Sequence, residues 1–188
     1  MNLEIYNETY DVFCRLTGKR NARIFEIGCG PGNITRYLLS KRPDFQIEAI
    51  DMAPNMIALA RQNVPAADFK VMDCRKISRL DKKFDGIMCG FCLPYLAENE
   101  VAKLVHDCSE LLEPGGCFYL SVIEDNYDKS GMEKSSDGTE SAAVYYYEEF
   151  YLQKLLKENN FECAEIQRIQ FPRENQNTTH LIIFALKD

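Results

Sequence analysis

The sequence has 188 residues, enough for one domain with its own core. Its apolar fraction of 46% and charged fraction of 27% are those of an ordinary globular protein, and no run of about 18 apolar residues suggests a membrane-spanning helix. A net charge of -7 with no block of Lys or Arg argues against a broad nucleic-acid footprint or attraction to an anionic membrane surface.

Residues 1–16 place acids inside an apolar pattern and do not read as a secretory signal. Eight cysteines (Cys14, Cys29, Cys74, Cys89, Cys92, Cys108, Cys117 and Cys163) are scattered through expected strands and helices. They read as reduced core thiols, which gives a cytoplasmic expectation.

In chain order, Leu3, Tyr6, Tyr10, Phe13 and Leu16 recur near helical spacing and predict an amphipathic helix. A strand over 23–27 follows, then a Gly-rich turn, then a helix over 33–41 stopped by Pro43. A second strand spans 45–50, and Pro54 opens a helix to about Gln62 at a favourable first-turn position. Strands are expected at 68–72 and 84–89, and a long helix at 99–112, ended by Glu113-Pro114-Gly115-Gly116. A fifth strand spans 117–123. The polar stretch 124–141 lacks periodicity and reads as a loop or lid. A helix over 147–159 precedes two strands, 162–171 and 179–186, joined through 172–177 as an antiparallel hairpin. Strands alternating with helices imply a mostly parallel sheet covered on both faces, with ligands bound beyond the strands' carboxyl ends.

The informative residues fall at those ends. The first strand runs into Glu26-Ile27-Gly28-Cys29-Gly30-Pro31-Gly32-Asn33. Alternating glycines let the chain turn and let a ligand approach the backbone, and the next helix offers free N–H groups. Asn33 stands where a dinucleotide fingerprint has its third Gly, which weakens an oxidoreductase reading. Asp51 ends the second strand, at the spacing of a ribose-binding acid; capping the helix at Pro54 is its other use. Asp73 ends the third strand, where it can accept from an adenine amino group or cap a turn.

These segments, FEIGCGPGN (Phe25–Asn33), AIDMAPNMIALA (Ala49–Ala60), VMDC (Val71–Cys74) and FDGIMCGFCLPYL (Phe84–Leu96), are followed by LLEPGGCFYLSV and YYYEEFYLQKLLKENNF. Together they resemble the class I S-adenosylmethionine (SAM)-dependent methyltransferases of small-molecule type, from about residue 20 to the end. The resemblance implies a three-layer doubly wound α/β fold, its seven strands in the order 3-2-1-4-5-7-6 with strand 7 antiparallel. It also implies a single domain over 1–188, with 1–20 as a cap helix and 124–141 as a lid.

By the same resemblance the cofactor is SAM and the product S-adenosylhomocysteine, formed by in-line displacement onto a small-molecule acceptor. Gly28, Cys29 and Gly30 should line its methionine part and Glu26 should hold its amino group. Asp51 should take the ribose hydroxyls. Met52 should pack on the adenine, with Met56 also in the cofactor set, and Asp73 and Cys74 should bound its edge. Cys89 and Phe91 should face the sulfonium side. Tyr6 and Tyr10 are candidates to close over the cofactor, and Tyr10, Tyr95 and Tyr146 to touch substrate.

The sequence also departs from the family pattern. Leu93-Pro94-Tyr95 carries no His where related enzymes often have one, so no catalytic base is assigned, and no metal ligand set is expected. Signatures of base-methylating enzymes are absent. Cys89-Gly90-Phe91-Cys92 is a C-x-x-C pair, but a zinc site needs a second pair and a redox site needs a helix start in a thioredoxin-like layout. His106 reads as structural, and the sequence offers no partner for His180. A protein or RNA methyltransferase, or a non-catalytic SAM-binding subunit, stands as the alternative. The acceptor and the oligomeric state are not legible.

Overall fold

The computed structural model of the chain describes residues 4–134, 141–172 and 177–188. Its strands are β1 (Arg23–Ile27), β2 (Gln46–Asp51), β3 (Asp68–Val71), β4 (Phe84–Cys89), β5 (Leu112–Ile123), β6 (Gly131–Lys134), β7 (Ser141–Val144), β8 (Phe161–Phe171) and β9 (Thr178–Lys187). One sheet has the order β3-β2-β1-β4-β5-β9-β8, and β6 pairs with β7 apart from it. The five strands β1 to β5 are mutually parallel, and β9 runs antiparallel to both neighbours. With the small pair left out of the count, this is the expected 3-2-1-4-5-7-6 order.

The helices are α1 (Asn7–Leu16), α2 (Asn33–Lys41), α3 (Pro54–Asn63), α4 (Glu98–Leu111) and α5 (Glu149–Glu158). Because β1 and β4 are covered on both faces, they read as near-continuous apolar runs, RIFEI and FDGIMC, and not as alternating ones. One core holds Phe25, Ile27, Ile87 and Cys89 against Leu104, Val105 and Cys108 of α4 and Leu152 and Leu156 of α5. On the other face Met88, Tyr119 and Phe184 pack against Tyr10 and Phe13 of α1, Leu38 of α2 and Ile57 of α3. Helix α1 docks closely because β4 has a glycine beneath it. A Cβ on Gly86 would stand 2.9 Å from Phe13 Cζ and 3.1 Å from Thr17 Oγ1.

Three boundaries differ from the sequence reading, each for a physical reason. The expected loop over 124–141 contains a 3-10 turn (Tyr127–Lys129) and the β6–β7 pair; 135–140 lie outside the described residues. That pair is held by backbone hydrogen bonding from Gly131↔Val144 to Lys134↔Ser141. Met132 of β6 and the first two residues of β7 are exposed, and among the pair's described side chains only Val144 is buried, so the buried face is too short to write a hydrophobic pattern. The segment expected to end α4 instead belongs to β5: Leu112 pairs with Phe84, and the ladder breaks and resumes at Gly86↔Cys117. Helix α5 starts at Glu149 and not Tyr147, because the Tyr147 N–H donates to Ile123 O and Tyr146 bridges Ile123 as a short extension of the sheet. Leu3 of the first expected helix and 173–176 of the last connector lie outside the described residues.

Candidate active site

The glycine turn between β1 and α2 is tied to β2. The N–H groups of Gly28 and Cys29 donate to Ile50 O at 2.8 and 3.0 Å, and the Gly30 N–H donates to Asp51 Oδ2 at 2.9 Å. Asp51 Oδ1 accepts from the Ala53 N–H at 2.8 Å. Gly28 has φ +71°, and a Cβ there would lie 3.3 Å from Cys92 Cβ. Gly32, at φ +85°, precedes α2 and passes close to α3; a Cβ would meet Val64 at 3.3 Å and Ala60 at 3.5 Å. Both positions therefore combine left-handed backbone with close packing, a pairing only glycine accommodates without strain. The N-cap residue of α2, Gly32, has no side chain to cap the helix, and the Glu26 carboxyl accepts from the Thr35 backbone N–H in its first turn.

Glu26 sits two residues before the turn and is 1% exposed. Its Oε2 accepts from Thr35 Oγ1 at 2.5 Å. Oε1 is buried with no hydrogen-bond partner among the described residues. Burial pushes the carboxyl up to about 8, against the lowering effect of Thr35. The Tyr10 hydroxyl on α1 is likewise buried without a partner among the described residues. Burial, reinforced by Tyr119 and Glu26, raises its pKa far above the phenol range.

At the end of β3, Asp73 caps a 3-10 turn (Cys74–Arg79), accepting from the Arg75 N–H at 3.0 Å and from Arg75 Nε at 2.9 Å. Arg75 reaches on to Glu100 at 3.1 Å. This guanidinium holds Asp73 below the usual carboxylate range. Past β4, Phe91 adopts φ +60° and its N–H donates to Ser121 Oγ at 2.8 Å. Its ring meets Tyr6 edge-on at 4.8 Å. The Tyr6 hydroxyl and His180 Nδ1 share a hydrogen bond at 2.7 Å, and the His180 ring stacks on Phe171 at 5.2 Å.

A cavity of about 710 Å³ lined by Arg23, Leu80, Lys82, His106 and Glu110 lies at the opposite, amino-terminal end of β1 and β4. Strand-end logic and the glycine turn place the chemistry away from it.

A family model described as a methyltransferase domain matches residues 24–116, from β1 into β5. The chain belongs to the class I SAM-dependent methyltransferases. A trans-aconitate 2-methyltransferase of Methylobacterium nodulans is 30% identical over 112 residues, which cover 60% of this chain and 42% of that protein. The chain spans less than half the length of the curated relatives it matches. A SAM-dependent methyltransferase from Methanosarcina mazei has the same fold (TM-score 0.77, 21% identity, 90% of this chain and 93% of that one). So does a 1,6-didemethyltoxoflavin-N1-methyltransferase of Burkholderia thailandensis, solved with 1,6-didemethyltoxoflavin and S-adenosylhomocysteine (TM-score 0.74, 22% identity, 99% of this chain and 79% of that one).

Within this methyltransferase fold the expected cofactor residues separate. Glu26, Gly28, Cys29, Gly30 and Asp51 gather at the turn, although the Cys29 side chain is buried and only its backbone lines it. Met52 is 65% exposed beyond β2, with Met56 half-buried one turn into α3. Asp73 is occupied as a cap, the other use its sequence allowed. Cys89, expected on the sulfonium side, has its side chain at 0% exposure in the core on the α4 face. Phe91 belongs to the opposite cluster, with Tyr6.

Of the expected substrate residues, Tyr10 is buried and Tyr95 is 61% exposed. The Tyr146 hydroxyl donates to Glu133 of β6. The Tyr6–His180 pair escaped the sequence reading because its partners are 174 positions apart. The one available signal was that an antiparallel last strand sets its first residues beside the carboxyl end of β5, where Ile123 pairs with His180.

Proposed function

We propose that this chain binds SAM across the carboxyl ends of β1 to β4 and transfers its methyl group to a small-molecule acceptor, releasing S-adenosylhomocysteine. One observation carries the reading: the buried Glu26 carboxyl has an oxygen without a partner, beside a glycine turn braced by Asp51. A buried acceptor left unmade costs roughly 1–3 kcal/mol, so this arrangement favours a ligand bringing a donor. The amino group of SAM is such a donor, and its ribose hydroxyls match the lone pairs left on Asp51.

Bound SAM supplies a methyl group already activated on a sulfonium leaving group. The chain's residues position it and keep water out. In this reading Glu26 holds the ammonium, the amides of the Gly28–Gly30 turn line the methionine part, and Asp51 fixes the ribose. Met52 and Met56 cover the adenine, while Asp73 and Cys74 stand at its edge. The backbone of Phe91 borders the reacting end. Residues 1–20 act as a cap and 124–141 as a lid, and these two segments choose the acceptor. A small-molecule acceptor is supported by the names of the relatives, trans-aconitate 2-methyltransferase and demethylmenaquinone methyltransferase among them. The compartment that goes with this reading is the cytosol, where thiols stay reduced; among the described residues no helix is long and apolar enough to cross a membrane.

Calorimetric titration of the purified protein with SAM and with S-adenosylhomocysteine tests the proposal. Saturable binding of both is expected. A folded sample that binds neither would overturn it.

A further inference from the structure

The C-x-x-C motif does not pair within itself alone. Cys92 Sγ lies 3.8 Å from Cys74 Sγ, a contact between residues 18 positions apart. Cys74 opens the 3-10 turn after β3, and Cys92 precedes the short turn Leu93–Tyr95 after β4. Both side chains are partly exposed, whereas Cys89 and Cys108 behind them are fully buried. The pair also touches the glycine turn, because Cys92 Cβ is the atom that a Cβ on Gly28 would meet at 3.3 Å.

We infer that Cys74 and Cys92 form a two-thiol modification site for an oxidant of the peroxide class, closing to a disulfide that opposes cofactor binding. The inference rests on the proposed SAM site for its second half only. A disulfide requires the sulfurs to approach to about 2.05 Å. Both residues lie in turns beyond the strand ends, so side-chain rotation and turn adjustment supply the movement without breaking the sheet ladder.

The chemistry balances with one peroxide. One thiol attacks the O–O bond, which breaks, giving a sulfenic acid and a first water. The second thiol attacks that sulfur, the S–S bond forms, and a second water leaves with the remaining proton. The hydrogen bond with Cys92 and burial raise the Cys74 thiol above its ordinary value, so the reaction is slow at neutral pH. Closure draws together the turns after β3 and β4, which flank the β1 turn carrying Gly28 in the sheet order.

The test uses the full chain carrying Cys163→Ser, which removes the exposed thiol on β8. The protein is treated with hydrogen peroxide, remaining thiols are alkylated, and the peptides are mapped by mass spectrometry. A Cys74–Cys92 linked pair, lighter by two hydrogens, is expected. A Cys89–Cys92 link, or sulfinic acid with no link, would overturn the site.

S-adenosylhomocysteine affinity is then measured before oxidation, after it, and after re-reduction. A loss of about tenfold or more that reductant reverses is expected, and bound S-adenosylhomocysteine should slow closure, since coupling is reciprocal. In Cys74→Ser the affinity, whatever its starting value, should no longer respond to peroxide. A linked protein that binds as well as the reduced one would overturn the coupling. Reduced protein that binds no cofactor would instead sink the SAM reading, with the linked peptide still deciding the dithiol.

Discussion

Asp51 and Gly30 are joined by a hydrogen bond of 2.9 Å that ties the end of β2 to the turn after β1. The second Asp51 oxygen holds the Ala53 N–H at the entrance to α3. One carboxylate thus fixes the glycine turn while keeping lone pairs for a ligand hydroxyl.

Changing Asp51→Ala is therefore expected to act twice. Cofactor affinity should fall by about 1.5–3 kcal/mol, the scale of hydrogen bonds to a charged group. Stability should fall by about 1–2 kcal/mol, because two backbone N–H groups lose their acceptor. Titration calorimetry and thermal unfolding separate the two effects. A folded variant with unchanged affinity would remove Asp51 from the site.

Gly86→Ala tests how closely α1 docks. The new methyl would lie 2.9 Å from Phe13 Cζ, and Phe13 is fully buried and cannot swing away. Overpacking of this kind costs about 1–3 kcal/mol. Denaturant unfolding should show that loss, with part of it recovered in the Gly86→Ala, Phe13→Leu double variant. Equal stability of Gly86→Ala and the parent would mean that α1 sits further from the sheet.

The contrast between these two regions shows what the sequence could reveal. Strands β1 and β4 and helices α2 and α3 were legible because their signals are local: continuous apolar runs, Pro54 at a helix start, and glycines and acids at strand ends. Asp51 and the glycine turn followed from the same grammar. Asp73 fits both a ligand role and a cap, and only the Arg75 contacts show how it is occupied. The β6–β7 pair was invisible because backbone bonds hold it. Cys74–Cys92 and Tyr6–His180 were invisible because chain distance hides a contact that the sheet order creates.

Tyr6→Phe tests the second of those contacts. It deletes the hydroxyl bonded to His180 Nδ1 at 2.7 Å and leaves the ring against Phe91. A loss of roughly 0.5–1.5 kcal/mol is expected, the net value of one buried hydrogen bond. Chemical denaturation measures it, and a fluorescence or amide-exchange probe on α1 should show that helix loosening first. No change in either would mean the bond contributes nothing net to holding α1 against β9.

Glu26 makes stability and binding depend on pH in opposite directions. Its pKa rises on folding from an ordinary 4.5 to about 8. Below 4.5 both states are protonated, and the buried neutral carboxyl contributes its full relative stability. Between 4.5 and 8 the unfolded chain loses the proton and the folded one keeps it. Stability is therefore lost as pH rises through that window, by at most roughly 1.4 kcal/mol per pH unit, and levels off above it. Glu26→Gln should flatten this part of the profile.

Binding a cationic amino group reverses the preference, because the ionised carboxylate is then the stable form. At pH 7 the protein should release up to one proton on binding SAM, and affinity should rise toward pH 8. Calorimetry in phosphate and in Tris, buffers of different ionisation heat, reads that proton directly. Identical enthalpies in the two buffers at pH 7, with SAM bound, would show that Glu26 does not meet the ammonium.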